Sequence, residues 1–154
     1  MTEAHAAAWA GPVYLDASAL VKLLVSEPES DALNQALMRV EGVIVSDLAL
    51  TEAVSALGRR TREGLLTLAE SRRLYREAGK LARSCRVAEL TPPAHRRAER
   101  LLLTSVDVPL RALDALHVAL ALDAEAATLV AYDPRLRKAA AALGLFIAPD
   151  ASRS

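Results

Sequence analysis

The sequence lacks most of the features that identify a protein's class at first sight. Its 154 residues include one cysteine, so no internal disulfide can form. The formal net charge is zero, which argues against a protein that coats nucleic acid through bulk charge. Five aromatic residues are too few for a platform on which single-stranded bases stack. The function must therefore be sought in individual residues and their spacing.

Long apolar runs and targeting signals are missing as well. The most apolar helical stretch, residues 113–122, is half the length of a membrane span and is broken by Asp114 and His117. Residues 1–10 lack the basic start of a signal peptide. No glycine-rich phosphate loop is present, which disfavours a nucleotide-binding switch. These observations predict a cytoplasmic protein with no membrane segment.

What is present is a regular alternation of short apolar strands and amphipathic helices. The predicted strands are residues 13–16, 43–46, 86–90, 128–132 and 145–148. Short connections through helices predict an α/β fold: a three-layer α/β/α sandwich with a mainly parallel sheet of about five strands. We expect residues 1–154 to form a single domain, with its core at about 13–148 and loose ends at 1–10 and 150–154.

Four acidic residues occupy matching places in this pattern. Asp16 and Asp133 follow apolar strands, while Glu52 and Asp114 lie at inward positions on helices. Right-handed crossovers place the carboxyl ends of all strands at one edge, so the four carboxylates converge if the first and fourth strands are neighbours. Two carboxylates about 5 Å apart repel by roughly 3 kcal/mol at an effective dielectric of about 20. A divalent cation would remove this repulsion, and oxygen ligands without thiolate indicate Mg²⁺ or Mn²⁺.

Such a metal site is suited to the hydrolysis of phosphodiesters, because it polarises a phosphoryl oxygen and activates water. Simpler roles compete for each acid. Asp16 and Asp133 also fit the N-caps of the helices that follow them, and Asp114 fits a first-turn carboxylate favoured by the helix dipole. Glu52 faces inward, so it requires a cation or a metal as its partner.

Several further residues allow two interpretations. His117, one turn after Asp114, could reach the same metal or pack against a backbone carbonyl. Lys22 could contact substrate phosphate or extend into solvent, and Asp47 is the predicted N-cap of the helix after the second strand. Sixteen of the nineteen basic residues are arginines. Their clusters could bind phosphate or form solvated helix faces: Arg59, Arg60 and Arg62; Arg72, Arg73 and Arg76; Arg96, Arg97 and Arg100.

Four segments of the chain resemble motifs of the PIN-domain family, and within it the compact VapC-type toxins of bacterial toxin–antitoxin pairs. These segments are residues 15–20 (LDASAL), 51–53 (TEA), 113–117 (LDALH) and 131–136 (AYDPRL). The resemblance implies a Mg²⁺- or Mn²⁺-dependent endoribonuclease. It also implies the metal ligands Asp16, Glu52, Asp114 and Asp133, and a role for Ser18 in orienting a carboxylate or a metal-bound water.

The resemblance further implies an RNA substrate, a homodimer, and an antitoxin protein that suppresses the activity. The chain departs from the family in one respect. Many members carry a hydroxyl residue two positions before the last acid, where this chain has Ala131, so Asp133 is the least firmly assigned ligand. Two alternatives share the same residues: a catalytically silent PIN module that binds RNA or a protein partner, and a nuclease for ordinary RNA processing.

Overall fold

The structure is a computed structural model that describes residues 8–150. Five parallel strands form one sheet in the order β3-β2-β1-β4-β5. The strands are β1 (Val13–Leu15), β2 (Val43–Ser46), β3 (Arg86–Ala88), β4 (Thr128–Val130) and β5 (Phe146–Ala148). The helices are α1 (Ala17–Leu24), α2 (Ser30–Leu37), α3 (Asp47–Arg62), α4 (Leu68–Ser84), α5 (Pro92–Thr104), α6 (Ala112–Asp123) and α7 (Pro134–Ala142). The predicted α/β fold class is confirmed.

Each face of the sheet carries its own hydrophobic core, because side chains alternate along a strand. Val13 and Leu15 pack with residues of α1 to α4, whereas Tyr14 packs with residues of α5, α6 and α7. All three side chains of β1 are fully buried. The sheet is therefore the middle layer of a three-layer sandwich, and β1 is its central strand.

Asp16 lies at the carboxyl edge of the sheet because of how β1 is paired. β1 runs parallel to both β2 and β4, with Tyr14 in register with Ile44 and Leu129. The backbone N–H of Asp16 then donates to the carbonyl of Val130 at 3.1 Å, which continues the pairing with β4 by one residue. The condition for convergence, that the first and fourth strands are neighbours, is met.

Several element boundaries differ from the prediction: β1, β3, β4 and β5 are each one or two residues shorter than predicted, and α3 has a different N-cap. The N-cap of α3 is Ser46 rather than Asp47, since the Ser46 hydroxyl accepts from the Ala49 N–H at 2.9 Å. Asp47 is the first helical residue, and its carboxylate accepts instead from the Leu90 N–H at 3.0 and 3.1 Å. β4 ends at Val130 rather than at residue 132, so Asp133 does not follow the strand directly. Gly64 follows the C-cap of α3 with a φ of 75°, a left-handed conformation that glycine adopts without strain.

The predicted loose ends lie mostly outside the described residues. Residues 1–7 and 151–154 are not described, and the assignment of residues 1–154 to a single domain stays a prediction. Within residues 8–150, no helix combines the length and the apolar character needed to cross a membrane.

Arg137 joins the carboxyl ends of β4 and β5, and we expect its loss to destabilise this edge. Its guanidinium donates to the carbonyls of Ala131 at 2.7 Å, Ala148 at 3.1 Å and Pro149 at 2.6 Å. Arg137→Met would remove the guanidinium donor of the Ala131 and Pro149 carbonyls, while the Ala148 carbonyl would still accept from the Ala131 N–H at 3.1 Å. We expect a cost of about 2 kcal/mol in the free energy of unfolding. Thermal melting should show a decrease of roughly 4–8 °C.

The matched control is Arg135→Met, because Arg135 is exposed and occupies the first turn of the same helix. It should change the free energy of unfolding by less than about 0.5 kcal/mol. Equal losses in the two variants would show that the three carbonyl contacts contribute no stability.

Candidate active site

Asp16 is a buried carboxylate that caps a helix. It follows β1, and its side chain is the N-cap of α1, with Oδ1 accepting from the Ala19 N–H at 2.9 Å. Only 4% of the residue is exposed. The capping role is therefore real, but an exposed cap would serve a helix equally well, so capping does not explain why this acid is buried.

Ser18 lies between Asp16 and the segment that follows β4. Its hydroxyl is 2.7 and 2.8 Å from the two carboxylate oxygens of Asp16, to which it donates. The same oxygen accepts from the backbone N–H of Tyr132 at 2.9 Å. This is the contact that the predicted orienting role requires, and it ties α1 to the connection between β4 and α7.

Glu52 projects from α3 towards α6, where it meets His117. Glu52 Oε2 is 2.5 Å from His117 Nε2. The histidine side chain is 4% exposed and the glutamate side chain 28% exposed. The inward acid was predicted to need a cation or a metal; its partner in the structure is a histidine side chain, which hydrogen-bonds the carboxylate. His117 contacts no backbone carbonyl through Nε2, which differs from the packing alternative drawn from the sequence.

Asp114 is the second buried aspartate, with 6% of its surface exposed. It lies in the first turn of α6, and its Oδ2 accepts from the Arg111 N–H at 3.2 Å. His117 stands one turn further along the same helix, so the two side chains share a face. Asp114 is thereby placed on the side of α6 that also carries the partner of Glu52.

Asp133 differs from the other three acids. It is exposed, and its Oδ1 accepts from the Arg135 N–H at 2.9 Å as the N-cap of α7. The residue before it, Tyr132, donates its backbone N–H to the Ser18 hydroxyl, which also donates to Asp16. Asp133 is therefore next in the chain to a residue that is linked to Asp16 through Ser18. Its assignment as a fourth ligand stays a prediction.

The buried aspartates have no basic side chain as a partner. Within residues 8–150, no lysine or arginine forms an ion pair with Asp16 or Asp114. A buried carboxylate without a counter-charge is costly. In the same part of the chain, no three acidic, histidine or cysteine side chains are grouped closely enough to bind one ion as they stand. The convergence of all four acids on one ion therefore stays a prediction.

Electrostatic effects show which of these groups influence one another. Burial raises the pKa of Asp16 above its ordinary value, and the hydrogen bonds from Ser18 and Ala19 oppose that rise. The charge of His117 also lowers this pKa, whereas the charge of Glu52 raises it. Asp16, Glu52 and His117 therefore lie within electrostatic range of one another at the carboxyl edge of the sheet.

Two features of this region were not found from the sequence. The Tyr14 hydroxyl hydrogen-bonds both His117 Nδ1 and Ser46 Oγ, so the hydrogen bonds of His117 extend into the core. Burial raises the pKa of Tyr14 far above its usual range. A tyrosine within an aliphatic strand was the available signal, because a buried hydroxyl requires a partner. Lys22 does not extend into solvent, since its side chain is 13% exposed and its ammonium is held by Glu27 at 2.6 Å and Glu29 at 3.0 Å. A contact with substrate phosphate stays a prediction.

The PIN-domain family model matches residues 13–142 of this sequence, which is most of the chain. The chain belongs to the PIN-domain family. The resemblance drawn from four short segments is thereby confirmed. The matched range begins with β1 and ends with α7, so it includes all four acids and the two helices that carry Glu52 and Asp114.

Curated PIN-domain relatives support the same assignment. Ribonuclease VapC46 of Mycobacterium tuberculosis is 39% identical over 147 residues, covering 88% of this chain and 95% of that protein. Ribonuclease VapC49 of the same organism is 34% identical over 139 residues, covering 89% of this chain and 94% of that protein. Both relatives are named ribonucleases, which is the activity that the resemblance to the PIN-domain family implies.

Solved structures of other proteins share the fold at lower identity. VapC20 of Mycobacterium tuberculosis, described as a toxin that cleaves the sarcin–ricin loop, superposes with a TM-score of 0.67 at 18% identity, covering 87% of this chain and 96% of that one. VapBC2 of Rickettsia felis, bound to a DNA fragment from their promoter, gives a TM-score of 0.61 at 13% identity, covering 88% and 97%. These likenesses establish the fold.

Asp16→Asn should raise the melting temperature by a few degrees in chelator at neutral pH. Because burial raises the pKa of Asp16, the folded state holds its proton more tightly, and the ionised acid costs stability as the pH rises above about 4. Asparagine keeps the cap without the charge. Melting from pH 3 to pH 8 should therefore show a gain that shrinks towards low pH.

Asp133→Asn is the matched control, since Asp133 caps a helix from an exposed position. It should leave the melting temperature nearly unchanged over the same range of pH. An Asp16→Asn protein that melts below wild type at every pH would mean that the hydrogen bonds of the carboxylate outweigh the cost of its burial.

Proposed function

We propose that this protein is a Mg²⁺- or Mn²⁺-dependent endoribonuclease that hydrolyses RNA phosphodiester bonds, and that it is the toxin of a toxin–antitoxin pair. The observation that carries the proposal is the pair of buried aspartates, Asp16 and Asp114, which have no basic partner in the described part of the chain. The family and its named ribonuclease relatives support the same reading.

The donor set fits a hard divalent cation. Asp16, Glu52, Asp114 and Asp133 would hold it through carboxylate oxygens, and no thiolate is near them in the sequence. Mg²⁺ keeps several waters and is commonly bound through one or two carboxylates together with substrate phosphate, so a closed cage of side chains is not required. When bound, the cation supplies charge stabilisation at the phosphate and lowers the pKa of water.

The chain's own residues prepare the site in three ways. Ser18 fixes the carboxylate of Asp16 through both oxygens. Asp16 and Asp114 are buried, so their charges are poorly screened by solvent and attract a cation more strongly than surface acids would. Glu52 keeps 28% of its side chain exposed, which leaves this acid open to an incoming ligand.

We extend the proposal to the partners. The substrate is RNA, an antitoxin protein suppresses the activity, and the active form is a homodimer in the cytoplasm. Support comes from the relatives named VapC and from a structural neighbour that is a VapBC assembly. The whole of residues 1–154 would act as one domain.

RNA cleavage tests the proposal directly. We expect the purified protein to cut a pool of structured RNA with Mg²⁺ or Mn²⁺ and to cut none in chelator. Asp16→Asn and Asp114→Asn should each lower the rate by about 100-fold or more, since loss of outer-shell groups alone costs about 10–100-fold. The matched control is Asp31→Asn, an exposed first-turn carboxylate of α2, which should cut at the wild-type rate.

The same samples separate the alternatives. Folded protein that binds Mn²⁺ but cuts no RNA in the pool would point to a narrower substrate, such as a single RNA in a processing pathway. Folded protein that neither binds Mn²⁺ nor cuts would overturn the nuclease and favour a silent PIN module that binds RNA or a protein partner.

The exposed arginines of α4 give a prediction about RNA binding. Arg72, Arg73 and Arg76 are all exposed, so they are free to contact phosphates. If each neutralises one phosphate, their joint replacement by glutamine should weaken binding and reduce the slope of log K against log salt by about 2, at roughly 0.7 per contact for single strands. Binding by the Asp16→Asn protein, measured from 50 to 300 mM salt, avoids cleavage during the titration.

A second arginine cluster provides the control. Arg96 and Arg97 already pair with Glu99 at 2.7 Å and Asp123 at 2.5 Å. Replacing these two together with Arg100 removes the same number of charges, yet it should change the salt dependence less. Equal slopes in wild type and in the α4 variant would identify the α4 arginines as a solvated helix face.

A further inference from the structure

A chain of buried hydrogen bonds lies behind Glu52. Tyr14 Oη is 2.8 Å from His117 Nδ1 and 2.7 Å from Ser46 Oγ, while His117 Nε2 is 2.5 Å from Glu52 Oε2. Tyr14 and Ser46 are fully buried, and His117 is 3% exposed. The chain therefore runs from the core of the molecule to Glu52, whose side chain is 28% exposed.

The direction of each hydrogen bond follows from the hydrogens that the groups possess. An ionised glutamate only accepts, so His117 Nε2 must donate to Glu52. In the neutral ring, Nδ1 then accepts from the Tyr14 hydroxyl, which accepts in turn from Ser46. Ser46 completes the chain by accepting from the Ala49 N–H at 2.9 Å. Every hydrogen has an acceptor, so the set is mutually consistent.

Packing restricts the imidazole further. The rings of Tyr14 and His117 meet edge to face, with centroids 5.9 Å apart and an interplanar angle of 68°. His117 lies on α6, Tyr14 on β1 and Ser46 at the end of β2, so three elements hold the ring. A ring fixed from three sides presents Nε2–H in one direction only.

We propose that His117 is a positioning residue for Glu52, and that Tyr14 and Ser46 hold His117 in the tautomer that this task requires. A glutamate with 28% of its side chain exposed would otherwise sample several rotamers, and ordering it on ligand binding would cost conformational entropy. His117 occupies Oε2 and leaves Oε1 for an incoming ligand. This inference rests on the proposed function, because the ligand is the divalent cation.

Titration with Mn²⁺ alone, followed by the electron paramagnetic resonance signal of the free ion, tests the proposal without any turnover. His117→Leu removes the donor and should weaken Mn²⁺ binding by about 10-fold or more, the usual effect of losing an outer-shell partner. His117→Gln can present a side-chain N–H near the position of Nε2, so it should recover most of the affinity. The control is His95→Gln, at an exposed histidine of α5.

The tautomer supplies a second readout that does not depend on metal binding. In ¹⁵N-labelled protein, the ring nitrogens of His117 should show the proton on Nε2 and an unprotonated Nδ1 at a pH where the ring is neutral. Tyr14→Phe keeps the aromatic ring but removes the hydroxyl, so it should mix the tautomers and weaken Mn²⁺ binding without touching Glu52. Tyr75→Phe, at a tyrosine with 61% exposure, is its control.

Each outcome separates this inference from the proposed function. Wild-type protein that binds Mn²⁺ together with His117→Leu protein that binds it equally well would overturn the positioning role alone. Wild-type protein that binds no Mn²⁺ would overturn the proposed function, and the positioning role with it. Should His117→Leu fail to fold, the Tyr14→Phe protein decides: unchanged tautomer and unchanged Mn²⁺ affinity would contradict the proposal.

Discussion

The parallel pairing of β1 with both β2 and β4 is the constraint on which the rest of this structure depends. β1 has three residues, all fully buried. Its two neighbours in the sheet are β2, about 30 residues later in the chain, and β4, about 115 residues later. The strand therefore delivers Asp16 to the middle of the carboxyl edge. Helices that start from the same edge bring Glu52 and Asp114 to it.

Three of the predicted site acids each accept hydrogen bonds from a different set of donors. Ser18 and the first turn of α1 hold Asp16, a histidine holds Glu52, and the start of α6 holds Asp114. Each of the three carboxylates thus has a hydrogen-bond donor of its own, while neither Asp16 nor Asp114 forms an ion pair with a lysine or arginine within residues 8–150.

The large features of this fold could be predicted because they depend on local patterns. Short apolar runs gave the strands, and the alternation with helices gave the parallel sheet. The ends of the elements were harder to predict from the sequence, and the N-cap of α3 is an example. Ser46 and Asp47 are both residues that cap helices well, and Asp47 instead accepts from the Leu90 N–H, 43 residues away in the chain. No local rule distinguishes the two residues.

The partners of the site residues were the least predictable part. His117 could be recognised as unusual on an apolar helix, yet its contacts come from β1 and α3. Lys22 was placed near the site but bonds to acids five and seven positions along the chain, since the loop after α1 turns back on the helix. Such pairings follow from tertiary geometry, which periodicity does not encode.

The contacts that build the site also determine when it can exist. They join residues 65, 103 and 114 positions apart in the chain, through Glu52, Tyr14 and Ser18. A ribosome that has completed only α1 to α5 has already released Asp16 and Glu52, but neither His117 nor Tyr132. Asp16 and Glu52 therefore leave the ribosome well before their partners on α6 and after β4, and these contacts form only once residues 112–132 have been synthesised and have docked.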